Sequence, residues 1–126
     1  MAKVLLDSDV IIWCLRGRQD VLARVADFAR SAVPACSALS VAEVESGMKP
    51  GEEAGTRAFL SAMDVQPVDA EIASDAARRM RSWRSRGRTL TLIDACIAAT
   101  CVLHGFELAT FNRRHYPFGD LAFASV

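Results

Sequence analysis

The chain has 126 residues, 52% of them hydrophobic, and its 15 basic and 15 acidic side chains cancel to a formal charge of zero. This length and composition predict one globular domain over residues 1–126 and argue against disorder. A neutral chain has no overall field that attracts nucleic acid, so such attraction must come from a local patch. The longest apolar run, residues 95–103, is far shorter than the roughly 18 residues of a membrane span, which argues against a membrane protein.

Cysteine usage points to a reducing compartment. Four cysteines occur in apolar segments, and none of them has CxxC spacing: Cys14, Cys36, Cys96 and Cys101. We therefore expect buried free thiols rather than a disulfide or a zinc site. The first apolar strand begins so close to the amino terminus that no room is left for a signal peptide, and we expect a cytoplasmic protein.

Segments with strand and helix periodicity alternate along the chain, which is typical of an α/β fold with a parallel sheet. The predicted strands are residues 4–6, 33–37, 65–68 and 106–110, with residues 121–124 as a candidate fifth strand. The predicted helices are a short one from Val10 and then residues 21–29, 40–48, 52–63 and 70–87, followed by one that starts at Thr91 and stops at Gly105.

The first strand runs directly into an acidic residue in the segment VLLDSDVIIW. Asp7 is therefore expected at the carboxyl end of a central strand, where open α/β sheets bind their ligands. Ser8 or Asp9 is predicted to cap the helix that begins at Val10. The alternative interpretation of Asp7 is a cap or turn carboxylate with no further role.

Two more acids stand near predicted helix starts. Glu43 follows Ser40 by three residues and Asp94 follows Thr91 by three residues, so each fits the last position of a capping box. Helix amino termini also favour carboxylates for electrostatic reasons. Spacing alone does not decide whether each acid caps its helix or belongs to a functional site.

Three carboxylates that converge at one edge of a sheet repel one another and require raised pKa values or a cation. Mg²⁺ suits such a site because it binds a few carboxylates and keeps several waters. An ion of this kind lowers the pKa of a bound water and stabilises charge on a phosphodiester. The combination of the three acids therefore favours metal-dependent phosphodiester hydrolysis.

Four segments, in this order and at these spacings, resemble the PIN-domain ribonucleases, and among them the VapC-type toxins of bacterial type II toxin–antitoxin pairs. They are VLLDSDVIIW, SALSVAEVESG, LIDACIAATCVLHG and LATFNRRHYP. The resemblance implies an α/β/α sandwich whose central, mainly parallel sheet has four to five short strands. It also implies a Mg²⁺ or Mn²⁺ site, endonucleolytic cleavage of tRNA, rRNA or mRNA, a cognate antitoxin as partner, and a homodimer.

Position by position, the resemblance assigns roles to several side chains. Asp7, Glu43 and Asp94 match the acidic triad and are expected to hold the metal. Asn112 stands where many members carry a further acid, and we expect it to position the attacking water or the scissile phosphate. Asp9 stands where the family often has Asn, which leaves open whether Asp9 or Asn112 supplies the fourth group of the metal site.

The segment RRMRSWRSRGR is the only concentrated basic stretch, with six arginines and no acid. We expect Arg84, Arg86, Arg88 and His115 to contact RNA. A solvated helix face, or anchoring of an acidic antitoxin segment, competes with this interpretation for the arginines. His115 lies beside Tyr116, and this loop could instead pack its aromatic residues on the core. Trp13 and Trp83 are expected in the core or an interface rather than as base-stacking platforms.

Other readings of the first motif fit less well. The DSD sequence also starts the site of haloacid-dehalogenase-like phosphatases, and a receiver domain has a similar length. Both chemistries need a late lysine, whereas this chain has only Lys3 and Lys49. The non-enzyme alternative is a catalytically weak or inactive PIN-like module that binds RNA or protein, and Asn112 is its only support.

Overall fold

A parallel four-stranded sheet forms the centre of the computed structural model, which describes residues 3–126. Its strands are β1 (Lys3–Leu6), β2 (Ala35–Ser37), β3 (Asp64–Gln66) and β4 (Phe106–Ala109). Their order across the sheet is β3-β2-β1-β4, and every described pairing is parallel. The predicted α/β fold with a mainly parallel sheet of short strands is confirmed, and β1 is one of its two central strands.

Helices connect the strands, as parallel pairing requires. They are α1 (Ser8–Leu15), α2 (Gln19–Ala29), α3 (Ala38–Ser46), α4 (Glu53–Ser61), α5 (Ala70–Arg84) and α6 (Leu92–His104), with a 3₁₀ turn at Arg113–His115. Two helices separate each strand from the next. Because the strands are parallel, their carboxyl ends lie at one edge of the sheet. The start of α1, the start of α3 and the loop after β4 therefore lie at this common edge.

Alternate residues of β1 pack on opposite faces of the sheet. Val4 and Leu6 join a core cluster with side chains of α1 to α4, whereas Leu5 joins a cluster with α6 and the loop after β4. Leu5 and Leu6 are completely buried, so truncating either to Ala is expected to cost about 2–5 kcal/mol of unfolding free energy. The layers are therefore helices, sheet and helices.

Several predicted strand boundaries were wrong, and proline explains two of them. The second strand begins at Ala35 rather than at residue 33, because Pro34 has no N–H to donate to the ladder. The third strand is Asp64–Gln66 rather than residues 65–68, and Pro67 follows it directly. The candidate fifth strand is a single parallel bridge between Leu108 and Phe123.

Two predicted helix starts were also wrong, since both helices begin directly at the strand ends. Asp7 itself caps α1, which starts at Ser8 instead of Val10. Ser37, the last residue of β2, caps α3 by accepting a hydrogen bond from the amide of Leu39 at 3.1 Å. The predicted cap Ser40 is buried inside α3, and its hydroxyl has no partner among residues 3–126.

The predicted boundaries of α6 are confirmed: Thr91 accepts a hydrogen bond from the Asp94 amide, and Gly105 ends the helix at a φ of +74° that favours glycine. All four cysteines are free and buried, as expected. Burial raises the pKa of the Cys14 and Cys36 thiols to about 11. Within residues 3–126, no helix is both long and apolar enough to cross a membrane.

Candidate active site

Asp7 lies at the carboxyl end of β1, where it faces the end of β4. Its Oδ1 accepts a hydrogen bond from the Ser8 amide at 2.8 Å, which caps α1. Its Oδ2 accepts bonds from the Thr110 hydroxyl at 2.9 Å and from the Tyr116 hydroxyl at 2.8 Å. Asp7 is only 8% exposed. The cap role and the position in the site, which the sequence posed as alternatives, therefore belong to the same carboxylate.

Tyr116 links Asp7 to the first turn of α6. Its hydroxyl oxygen lies 3.2 Å from Asp94 Oδ1 as well as 2.8 Å from Asp7 Oδ2. The side chain is 2% exposed and packs with Leu5 and Leu108 in the core. A phenol has one proton, so it donates fully to one carboxylate at a time. This single buried hydroxyl fixes the spacing between the two acids.

Asp94 faces the cleft from the start of α6. Its amide bonds to the Thr91 hydroxyl at 3.1 Å, so the threonine cap is present. The carboxylate does not close a capping box with the Thr91 amide in the hydrogen bonds of residues 3–126. It approaches Tyr116 instead, and its Oδ2 lies 3.6 Å from Nδ1 of His115. The orientation of Asp94 thus favours a site over a cap.

Glu43 also turns away from its own helix start. Its Oε1 accepts a 2.5 Å hydrogen bond from the Ser8 hydroxyl, which belongs to the first turn of α1. The capping-box alternative with Ser40 was wrong, because Ser37 caps α3 and Ser40 is buried. Glu43 is exposed and lines the same cleft as Asp7 and Asp94.

Asp9 and Asn112 contact each other. Asp9 Oδ2 accepts bonds from the Asn112 side-chain amide at 3.0 Å and from the Phe111 amide at 2.9 Å. Its Oδ1 accepts a bond from the Val10 amide at 2.8 Å. Asp9 Oδ2 therefore holds the loop after β4, and the side-chain oxygen of Asn112 remains available to the cleft.

Burial concentrates unfavourable negative charge at this edge of the sheet. It raises the pKa of Asp7, and the neighbouring charge of Asp94 raises it further, while hydrogen bonds from Tyr116, Thr110 and Ser8 oppose the shift. Burial and the charge of Asp7 also raise the pKa of Asp9. The phenol pKa of Tyr116 is raised by burial and by the two adjacent acids, so it stays protonated. A cation would relieve this repulsion.

The four predicted catalytic residues line one cleft of about 370 Å³ together with His115. These four residues are Asp7, Glu43, Asp94 and Asn112. Among residues 3–126, no three Asp, Glu, His or Cys side chains form a ready-made metal cage. The donors are all hard oxygens, however, and Mg²⁺ commonly binds one or two carboxylates and retains its waters. The set therefore fits a hydrated divalent ion rather than a fully enclosed one.

A family model for the PIN domain matches residues 4–123. The chain belongs to the PIN-domain family. Ribonuclease VapC10 of Mycobacterium tuberculosis is 34% identical over 114 residues, covering 90% of this chain and 86% of that protein. Ribonuclease VapC19 of the same species is 33% identical over 119 residues, covering 93% and 95%. The predicted resemblance to PIN domains of the VapC type is thus confirmed.

Solved structures share the fold of this PIN domain. A toxin–antitoxin complex from Klebsiella pneumoniae contains a chain that is 25% identical with a TM-score of 0.80, covering 95% of this chain and 96% of that one. VapBC2 from Rickettsia felis, bound to a DNA fragment from its promoter, contains a chain with a TM-score of 0.86 and 16% identity, covering 96% of each. The second likeness concerns the fold alone.

The predicted RNA-contacting arginines of this PIN domain lie outside the cleft. Arg88 donates to the backbone carbonyl of Arg114, in the turn that carries His115. Arg86 and Arg88 both lie over the Trp83 ring, at 4.8 and 5.9 Å from its centre. Arg84 is exposed on α5. His115 lines the cleft itself, whereas none of the three arginines does.

Tyr116 is the site residue that the sequence did not reveal. It was considered as a loop aromatic packing on the core, which is correct for its ring, but its hydroxyl enters the site. The only sign of this role in the sequence is the residue type, because a buried tyrosine hydroxyl normally finds a hydrogen-bond partner. Two further hydroxyl groups beside the site also donate to its carboxylates: Ser8 bonds to Glu43, and Thr110 bonds to Asp7.

Proposed function

We propose that this PIN domain is a Mg²⁺- or Mn²⁺-dependent endoribonuclease toxin that is held inactive by a cognate antitoxin. The observation that carries the proposal is the pairing of Asp7 and Asp94 across the Tyr116 hydroxyl, in a cleft that Glu43 and Asn112 complete. The curated relatives are named ribonucleases, which supports the choice of RNA as substrate. The reaction is hydrolysis of a phosphodiester by water.

In this proposal Asp7 and Asp94 hold the metal ion, directly or through water. When bound, such an ion lowers the pKa of a coordinated water and stabilises the charge that develops on the phosphate. Glu43 is a further ligand or orients the water, and the short bond from Ser8 keeps its carboxylate turned into the cleft. Asn112 positions the water or the scissile phosphate through its amide, which Asp9 holds in place.

The proposal also includes contacts to the RNA outside the reacting group. His115 lines the cleft and can donate to a phosphate oxygen. Arg88 bonds to the turn of residues 113–115 and places its positive charge beside this turn. Arg84 at the end of α5 and Arg86 just beyond it extend the basic surface, where they can neutralise backbone phosphates farther away.

We further propose a homodimer and a cytoplasmic location for the protein. The solved relatives include toxin–antitoxin complexes, and this supports an antitoxin as the partner. The four free cysteines are consistent with a reducing environment. A measured mass of the free and antitoxin-bound protein in solution tests both assemblies.

The experiment that tests the function is cleavage of total cellular RNA with Mg²⁺, with Mn²⁺ and with EDTA. We expect discrete metal-dependent fragments from the wild type and none from Asp94→Asn. Asp7→Ala should also give no fragments, and Asp69→Ala is its matched control, because Asp69 also caps a helix but lies outside the cleft. RNA binding without cleavage by any protein would favour the inactive binding module instead.

A further inference from the structure

Alternating arginine and aromatic side chains form a strip on the surface beside the cleft. The guanidinium carbons of Arg16 and Arg18 lie 5.4 and 5.1 Å from the centre of the Trp13 ring. Arg18 also lies 5.6 Å from the centre of the Phe111 ring. These four residues are called the aromatic–arginine strip below. Trp13 was expected in the core or an interface; it is 37% exposed, which is not a core position, and Phe111 is 38% exposed.

The strip is attached rigidly to the site. Phe111 follows Thr110, and its amide bonds to Asp9 Oδ2 at 2.9 Å. Asp9 and Trp13 are four residues apart on α1, so they lie on the same side of that helix, one turn apart. The strip therefore begins one helical turn from an acid that lines the cleft.

Both ends of the strip border depressions that share residues with the cleft. Arg16 lines a groove with Ile12 and Glu43, and both of these also line the cleft. Phe111 lines a second depression with Asn112 and His115, which the cleft shares as well. A polymer leaving the cleft on either side thus passes one end of the strip.

We propose that the aromatic–arginine strip binds unpaired nucleotides next to the scissile bond, by stacking their bases on its rings and guanidinium planes. This inference rests on the proposed ribonuclease function and assigns the surface that holds the unpaired nucleotides. Each nucleotide combines a flat base with a negative phosphate, and the strip offers flat surfaces and positive charge in alternation. A duplex keeps its base faces stacked inside and cannot use them.

The charges on the strip suit this role. Arg18 forms two hydrogen bonds to Asp20, at 2.9 and 3.0 Å, which hold its guanidinium plane between the two rings. Arg16 is exposed and has no salt bridge among residues 3–126, so its charge is free for a phosphate. A nucleotide offers both a phosphate for Arg16 and a flat base for the exposed parts of Trp13 and Phe111, whereas the charge of an acidic peptide matches only the arginines, and RNA is therefore favoured.

The two tryptophans allow a direct test. In an Asp94→Asn background that prevents cleavage, Trp83→Phe leaves Trp13 as the only tryptophan, and Trp13→Phe leaves Trp83. We expect a single-stranded RNA oligonucleotide to quench Trp13 fluorescence, and its duplex with a complementary strand to leave the emission unchanged. Trp13→Ala should weaken single-strand binding about tenfold, and Trp13→Phe should weaken it less because a ring remains.

A matched control separates the strip from arginine–aromatic contacts in general. Arg24 lies 5.4 Å from the centre of the Phe28 ring, away from the cleft residues, so Arg24→Ala should leave RNA affinity unchanged while Arg18→Ala lowers it. RNA binding with equal affinity to Trp13→Ala and no quenching would overturn the inference while leaving the ribonuclease proposal intact. Quenching by an acidic peptide but not by RNA would overturn it in favour of a peptide surface. Absence of RNA binding and cleavage in every protein would contradict both proposals.

Discussion

Asp7 Oδ2 and Asp94 Oδ1 share one hydroxyl group, which lies 2.8 Å from the first and 3.2 Å from the second. The two acids come from β1 and α6, and the hydroxyl belongs to Tyr116 in the loop after β4. A neutral donor thus occupies the space where two carboxylates would otherwise face each other. A cation between the acids would be attracted by the same two oxygens.

Tyr116→Phe keeps the buried ring and removes this donor. We expect the metal-free variant to lose about 1–3 kcal/mol of unfolding free energy, because Asp7 and Asp94 lose the one donor that they share. Saturating Mn²⁺ should therefore stabilise the variant more than it stabilises the wild type. Urea unfolding with EDTA and with Mn²⁺ measures both quantities.

A double-mutant cycle isolates the shared bond behind that effect. In an Asp94→Asn background only one of the two carboxylates remains charged, so the further substitution Tyr116→Phe should cost less than it does in the wild type. An equal loss in both backgrounds would show that the lost stability comes from the bond to Asp7 alone.

Asp7 combines a helix cap with a buried charge, and two substitutions separate these roles. Both Asp7→Ala and Asp7→Asn should abolish cleavage. Asp7→Ala should also lose about 1 kcal/mol of stability with the cap, and so should Asp69→Ala, whereas asparagine caps helices as well as aspartate does. Chemical unfolding and RNA cleavage of all three variants provide the comparison. Wild-type cleavage by either Asp7 variant would remove Asp7 from the proposed site.

The raised pKa of Asp7 predicts how the effect of this carboxyl group on the free energy of unfolding depends on pH. The folded protein holds the Asp7 proton more tightly than the unfolded chain, whose reference value is 3.8. The contribution of Asp7 to stability is therefore complete below that value and is lost as the pH rises through the raised pKa. In EDTA, the stability of Asp7→Asn relative to wild type should increase as the pH rises above about 4, and it should level off once the pH exceeds the raised pKa of Asp7. A constant difference over this range would contradict the shift.

The sequence predicted the parts of the site that depend on strand ends and motifs. Asp7 follows an apolar strand, and Asp94 follows its threonine cap, so their elements could be placed correctly. The direction of a carboxylate is a tertiary property, and spacing alone could not decide whether Glu43 bonds to its own helix or to Ser8. The wrong cap at Ser40 has the same origin, since Ser37 becomes a cap only because β2 ends there.

The sequence motifs could not predict contacts between distant segments of the chain. Arg88 reaches the turn of residues 113–115 through a backbone carbonyl, and Tyr116 reaches two acids from a loop with no regular periodicity. Both contacts depend on how α5 and the last loop pack against α6. The exposure of Trp13 likewise depends on tertiary packing, since the sequence left its position open between the core and an interface.

Asp9 is expected to act on the loop after β4 rather than on the metal. Asp9→Ala removes acceptors for the Phe111 amide and the Asn112 side chain, so residues 111–115 should open more often. Trypsin should then cut faster after Arg113 and Arg114, and cleavage of RNA should fall about tenfold or more as Asn112 loses its position. Mass spectrometry of the tryptic fragments locates the cuts. Asn112→Ala is the control, since it removes one of these bonds and leaves the Phe111 amide bonded.

Arg79 belongs to the basic stretch but has a structural role. Its guanidinium donates to Asp75 at 2.7 Å and to both oxygens of Asp120 at 2.8 and 2.7 Å, and its side chain is only 11% exposed. Arg79→Ala leaves two carboxylates without their common partner and should cost about 2–4 kcal/mol. Arg78→Ala, at an exposed pair with the same Asp75, should cost less than about 1 kcal/mol. Urea unfolding measures both losses, and equal values would mean that Arg79 is no more than a surface charge.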